Sequence, residues 1–310
     1  MASGGQPRVG NHAVDPLTPI RGMVGGGLAA FAARPLAADA PPGLAAVCRT
    51  HHPPRIRAVE RLVAEDDIPH LMRPLAQDVV AWEGAEQRLI VYPLPPGPPL
   101  LPAGERRAPL REGDLIQNVV RPIGAALLAL ADLGLPHRGI RPDNLFRPAA
   151  GGPVMLGEAW ALPAAFAQPA VVEPPSSALC LPIGRGEGTI ADDLYALGVT
   201  LVALATGAWP MAGLADDAAT CAKLERGSLV AVLGDQRLPG GLVTLVRGLL
   251  AEDPDHRPTP AELAGWPGSA RTRSISARPI RKASRPLPIG PSQPRDSHSL
   301  AAALGTHWAE

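Results

Sequence analysis

Residues 93–99 read PLPPGPP, and five of these seven are proline. Proline lacks a backbone N–H and fixes φ at about −65°, so this stretch continues neither a strand ladder nor a helix. It is a stiff connector, and the chain has a different texture on each side of it. Before it the patterns are short and β-like. Residues 44–48 (LAAVC) read as a strand. Residues 79–82 and 88–92 flank a five-residue loop containing Gly84, which is a hairpin signal. One helix is expected there, over residues 57–65 (RAVERLVAE), from its apolar spacing. After the connector helical patterns recur at residues 114–133, 193–206, 218–225, 242–252 and 260–264, with Pro122 as an expected kink in the first. The layout predicts an α+β fold with a small β-rich front part and a larger helical back part.

The ends are different again. Residues 1–17 are polar and Gly/Pro-bearing, and are expected to be disordered. Residues 269–295 form a basic Ser/Pro/Arg stretch, expected to be a linker that proteases cut first. Residues 296–310 carry, in HSLAAALGTHWAE at 298–310, the pattern of one short helix.

Composition narrows the function classes. Of the 310 residues 46% are apolar but only 3% aromatic, so the core must be built from Ala, Leu, Val and Ile. The formal net charge is zero, which argues against an electrostatic grip on nucleic acid or on an anionic membrane. The cations are nearly all arginine, with lysine only at Lys223 and Lys282. Together with the Ala, Pro and Gly content, this is the usage of a GC-rich bacterial genome. Cys48, Cys180 and Cys221 form no C-x-x-C pair, so neither a disulfide framework nor a zinc site is readable. The N-terminus shows no secretory pattern, and the chain is expected in the cytoplasm. Residues 194–215 carry no charge and are long enough to span a bilayer. Gly198, Gly207 and Pro210 interrupt them and Asp192-Asp193 precede them, so residues 193–206 read as a core helix ended by Gly207. A membrane-linked regulator is the weaker reading of that segment.

Residues 137–146 (HRGIRPDNLF) carry the most specific signal. His137, Arg138, Pro142 and Asn144 stand in the register of H-R-D-x-K-P-x-N, and the stretch resembles the catalytic loop of eukaryotic-like serine/threonine protein kinases. Further segments follow in the family's order. Asp193 to Val199 (DLYALGV) resembles D-x-W/Y-S-L-G-V, Thr206-Gly207 and Trp209-Pro210 resemble L-x-T-G-x-x-P, and residues 249–259 resemble L-L-x-x-D-P-x-x-R-P-T. The resemblance is strong over residues 115–263 and weak before them. It implies a bilobal protein-kinase-like fold, with an N-lobe over residues 18–97 and a C-lobe over residues 98–268. It also implies structural roles for His137, Arg138, Asp193 and Arg257. Asp193 would bind the catalytic-loop backbone. Arg257 would form a buried ion pair, with Glu173 as first candidate and Glu187 as second.

The departures fall on the chemical positions. The proton-accepting Asp of the catalytic loop is Gly139, and the Lys two residues on is Arg141. The strand Lys that pairs the nucleotide phosphates falls at Cys48, or at Arg49 with a one-residue slip, and no lysine precedes Lys223. Glu60 would stand where that Lys has its helix partner. The metal-binding D-F-G is Glu158-Ala159-Trp160. Gly25, Gly27 and Ala30 give a G-x-G-x-x-A spacing able to cradle phosphate through backbone N–H groups. Gly25, Gly27, Arg49 and Asn144 are therefore the nucleotide-binding candidates, and Asn144 and Glu158 the metal candidates. Asp143 and Glu158 are the carboxylates that a rewired phosphotransferase would use. Loss of the chemical charges beside retention of the architectural ones implies a pseudokinase. Such a chain is expected to bind Mg-ATP weakly or not at all and to serve as a regulatory or scaffolding module for a protein partner, without nucleic acid or membrane. An active phosphotransferase is the alternative.

Overall fold

The structure, a computed structural model, describes residues 6–20, 22, 27–38, 40–65 and 68–267. Gly25, the basic stretch 269–295 and the C-terminal segment 296–310 lie outside the described residues.

Six strands make one antiparallel sheet: β1 (Arg8–Val9), β2 (His12–Pro19), β3 (Ala30–Pro35), β4 (Gly43–Val47), β5 (Ala76–Trp82) and β6 (Ala85–Pro93), in the order β1-β2-β3-β4-β6-β5. The period-two alternation of a strand sorts its side chains to two faces. Leu44, Ala46, Ile90 and Tyr92 enter the main core, while Ala45, Leu89 and Val91 join Val9, Val14, Ala33 and Trp82 on the other face. The front segment corrects two expectations. Residues 8–17, part of the stretch expected to be disordered, lie in β1, β2 and the turn between them, because Val9 and Val14 are fully buried in the second cluster despite their polar neighbours. The hairpin loop is two residues rather than five. Glu83 and Gly84 both take positive φ, at 50° and 85°, the conformation a tight right-twisting hairpin needs.

Helix α1 (Ile56–Ala64) is the one expected between the strands, and it buries Ala58, Val59 and Leu62. Beyond the connector, α2 (Glu112–Asp132) is a single helix with a π-helical turn at Ile116–Val120. Pro122 explains part of its geometry. It has no N–H to give the Asn118 carbonyl, and that carbonyl instead accepts the Val154 N–H at 2.9 Å. A proline inside a helix thereby fixes the short strand that leads to Glu158. That strand, β8 (Met155–Leu156), pairs with β7 (Leu145–Phe146) behind the 137–144 loop.

Longer helices follow at α3 (Ile190–Thr206), α4 (Asp216–Arg226), α5 (Ser228–Leu233), α6 (Gly240–Leu249) and α7 (Pro260–Ala264), beside one-turn helices such as Pro175–Ala178. Helix α3 begins in a capping box of Thr189 and Asp192 and ends at Gly207, whose φ of 70° is the left-handed cap that glycine adopts freely. Its residues 193–204 are all buried, so the uncharged run 194–215 is a core helix followed by a turn. By length and apolar composition alone α2 is the one helix among the described residues that matches a membrane span, and more than half of its apolar window is buried within the protein.

Candidate functional site

The 137–144 loop is held from below by Asp193. Its carboxylate accepts the N–H of His137 and that of Arg138, each at 2.6 Å, from the first turn of α3. Arg138 needs this support, since its φ is 63° and it is not a glycine. Burial pushes the Asp193 carboxyl up, to about 7, against the pull of Arg138 and of the two N–H donors. The His137 ring lies edge-on to Trp160 at 5.2 Å, and its Nε2 sits 3.0 Å from the Gly157 carbonyl. A carbonyl only accepts, so Nε2 carries a proton. Burial drives the imidazole pKa down to about 3, below its ordinary 6.5.

A stability test follows from this shift. His137 binds no proton in the folded chain while the unfolded chain takes one below pH ~6.5, so its contribution is lost as pH falls from there towards ~3. The raised Asp193 works in the opposite sense, losing stability as pH rises from ~4 towards ~7. His137→Phe removes the first term and keeps the second. Relative to the wild type, the variant is expected to gain about 1.4 kcal/mol per pH unit as pH falls from ~6 to ~5. Denaturant unfolding at each pH measures it, and parallel curves for the two proteins would show that the imidazole is not buried neutral.

Gly139 was expected at the position of the proton acceptor, and the space for a side chain there is taken. A Cβ there would lie 2.6 Å from the Ala159 Cβ and 3.2 Å from the His137 ring. Asn144 is committed to the backbone: its amide nitrogen donates to the Gly139 carbonyl at 2.8 Å and to the Glu158 carbonyl at 3.0 Å. Asp143, the first rewired candidate, is held by Arg141 at 2.9 Å, and Arg141 also donates to the Ala167 carbonyl. Glu158, the second, is buried and turned towards its own turn, where one oxygen accepts the N–H groups of Trp160 and Ala161 at 3.3 and 3.4 Å. Its charge also faces Cys48 and Tyr92. Burial first, and Glu158 second, raise the Cys48 thiol to about 12 and push the Tyr92 phenol well above its ordinary range. Cys48, one of the two positions expected for the lysine, and Glu158, the position expected for the metal ligand, thus meet with Tyr92 in a buried cluster of thiol, carboxylate and phenol.

Two of the nucleotide-binding candidates within the described residues, Gly27 and Arg49, are in contact. Arg49 is exposed and donates to the Gly27 carbonyl at 2.8 Å. The structure brings these two together, and the guanidinium is spent on loop backbone. Glu60 is exposed on α1.

Arg257 requires a correction, because it meets no carboxylate of Glu173 or Glu187. It donates to the carbonyls of Ala251, Ala191 and Glu252 at 2.9, 2.7 and 3.4 Å, and lies over the Tyr195 ring. Glu173 pairs instead with Arg138 at 2.6 Å, with both side chains essentially inaccessible. Gln168 and Ser177 also donate to it, and the Lys223 ammonium binds the Glu173 and Ala170 carbonyls. The left-handed turn at Arg138 aims its side chain at Glu173, whereas three carbonyls satisfy Arg257 without an anion. Glu187 pairs with Arg55 at 2.8 Å. Arg55 and Tyr92 were not singled out in the sequence, and Trp160 only as the last of the Glu158-Ala159-Trp160 triplet. Arg55 had a weak signal, a charge directly before an amphipathic helix; Tyr92 had only the scarcity of aromatics.

Neither a protein-family model nor a curated protein sequence matches the chain. Solved structures do. One, described as the crystal structure of Rad53 1-466 in complex with AMP-PNP, superposes with a TM-score of 0.59 at 17% identity, over 82% of this chain and 64% of that one. The chain has a protein-kinase-like fold. At such low identity the likeness shows the fold alone, and this chain spans less than two thirds of that chain's length. Within the kinase-like fold, the 137–144 loop, the Glu158 turn and α3 are the parts just described.

Proposed function

We propose that this chain is a pseudokinase, a kinase-like domain that binds and regulates a protein partner instead of transferring phosphate. The sheet of residues 8–93 and the helices of residues 112–264 are read as its small and large lobes, joined by the proline-rich connector. The observation that carries the reading is Gly139: the proton-accepting carboxylate is absent, and Ala159 and His137 fill the room it would need. Phosphoryl transfer relies on positioned charges that act as a unit.

The residues present do not fit a magnesium nucleotide. Cys48 supplies no cation for the phosphates. Glu158 is engaged by its own turn, and Asn144 by two carbonyls. Among the described residues no group of three or more His, Cys, Asp or Glu side chains is placed to hold a metal. The connector offers few donors to a base, because residues 93–99 have N–H groups only at Leu94 and Gly97, and that of Leu94 is bound to the Pro42 carbonyl. Leu179, Leu181 and Ile183 stand exposed along one short stretch, the kind of apolar surface that protein interfaces use.

A thermal-shift titration with ATP and Mg²⁺ or Mn²⁺, followed by a radiolabel transfer assay, tests the reading. A ligand at ~100 times its Kd stabilises a fold by about 2.7 kcal/mol. The expected result is no metal-dependent shift and no transfer. A metal-dependent shift with turnover that disappears in Asp143→Asn or Glu158→Gln would replace this reading with a rewired phosphotransferase.

A further inference from the structure

Arg55 is a buried arginine that the kinase-like catalytic apparatus does not call for. It sits immediately before α1, and its side chain is 3% exposed. Every group around it belongs to a distant part of the chain. Its Nη1 donates to the His137 carbonyl at 3.0 Å and its Nη2 to the Pro136 carbonyl at 2.8 Å. Its Nε donates to Glu187 at 2.8 Å. The guanidinium plane lies 4.6 Å from the centre of the Trp160 ring, and the Arg55 backbone N–H donates to the Trp160 carbonyl at 3.0 Å. Three residues earlier, the His52 ring packs at a tilt against Phe166, with ring centroids 4.3 Å apart. One short loop at the head of α1 therefore grips the catalytic loop, the Glu158 turn and the segment before α3 at once.

We propose that Arg55 is a built-in clamp that holds α1 against the catalytic loop, and that Glu187 sets how tightly it holds. The fork geometry of a guanidinium suits this task, since it can meet two carbonyls and a carboxylate in one plane, which a lysine cannot. Its charge is compensated within the clamp, so closure requires no bound ligand to bridge the same elements. Burial pulls the guanidinium pKa down, and Glu187 is the largest influence pulling it back up. The Glu187 side chain is 68% exposed, so the clamp has one end that solvent and a partner can reach. A protein that takes the Glu187 carboxylate would loosen α1 through that single ion pair. The inference is independent of whether the catalytic loop turns over nucleotide.

Amide hydrogen exchange of the full chain tests it, read over residues 56–64 and, as internal reference, over residues 190–206. Arg55→Met keeps an apolar stem on Trp160 and leaves no buried charge. It is expected to accelerate exchange in 56–64 by at least about tenfold while 190–206 is unchanged, the mark of local opening. Glu187→Gln is expected to give a smaller acceleration in 56–64 that disappears in the Arg55→Met background. Wild-type exchange in 56–64 in both variants would overturn the proposal. So would equal acceleration in both segments, or a Glu187→Gln effect that persists without Arg55. Should Arg55→Met fail to fold, Glu187→Gln and Glu187→Lys decide it. Protection of 56–64 must fall from wild type to Gln to Lys, and equal protection in all three would remove the clamp.

Discussion

Glu173→Ala is expected to lower the unfolding free energy by roughly 3–5 kcal/mol, the usual penalty for leaving a buried charge without its partner. Glu173 and Arg138 meet at 2.6 Å with side-chain exposures of 0% and 1%. Removing the carboxylate strands the Arg138 guanidinium beside Asp192, 3.4 Å away and itself needed by the Thr189 cap. Gln168 and Ser177 lose their acceptor in the same step. The loss is also positional, because Arg138 carries the backbone N–H that Asp193 binds. Arg138→Met with Glu173→Leu removes both charges, and is expected to cost less than the sum of the single changes, since the pair is coupled. Arg257→Ala is the control. It forfeits hydrogen bonds to three carbonyls but leaves no buried carboxylate, so its effect is expected to be smaller. Equilibrium urea unfolding of the wild type, of each single variant and of the double variant measures these losses. A loss below about 1 kcal/mol in Glu173→Ala would place the pair among exposed salt bridges in its energetic effect.

This pair also shows what the sequence discloses and what it withholds. Asp193 was legible through the resemblance: it heads DLYALGV at the start of an apolar helix, where the resemblance implied an acid bound to the backbone of the 137–144 loop. The strand 43–47, the helix 56–64 and the 260–264 turn were legible from periodicity and caps. The partner of Glu173 was not. Which arginine reaches a buried carboxylate depends on the left-handed turn at Arg138, and an amino-acid string does not display φ. The strands at 8–19 were hidden because a polar edge strand is stabilised by its neighbours, here through Val9 and Val14, and not by its own composition. Arg55 was hidden because its ligands are mostly carbonyls, which every residue type has. At the candidate site the departures at Gly139, at Cys48 or Arg49, and at Glu158 could be read only against the family pattern that residues 137–146 resemble. That the vacated volume is closed by Ala159 became visible only in three dimensions.

That closure makes restoration of the missing acid a sharp test. Gly139→Asp is expected to destabilise the domain by roughly 1–3 kcal/mol, as over-packing does, and to produce no phosphate transfer. The strain lies at the first side-chain atom. A Cβ at position 139 would stand 2.6 Å from the Ala159 Cβ, and neither atom can rotate away. Gly139→Ala should therefore show most of the loss without any carboxylate, and Gly139→Ala with Ala159→Gly should regain much of it. The order of these three proteins in urea unfolding separates steric strain from the cost of burying a charge. Activity stays absent in every one, because Cys48 still offers no cation to phosphate and Glu158 is still engaged by the N–H groups of Trp160 and Ala161. A Gly139→Asp protein as stable as the wild type would show that the loop has room for the acid. If that protein also transferred phosphate, the loss of one carboxylate, and not the rebuilt site around it, would be all that separates this chain from a working kinase.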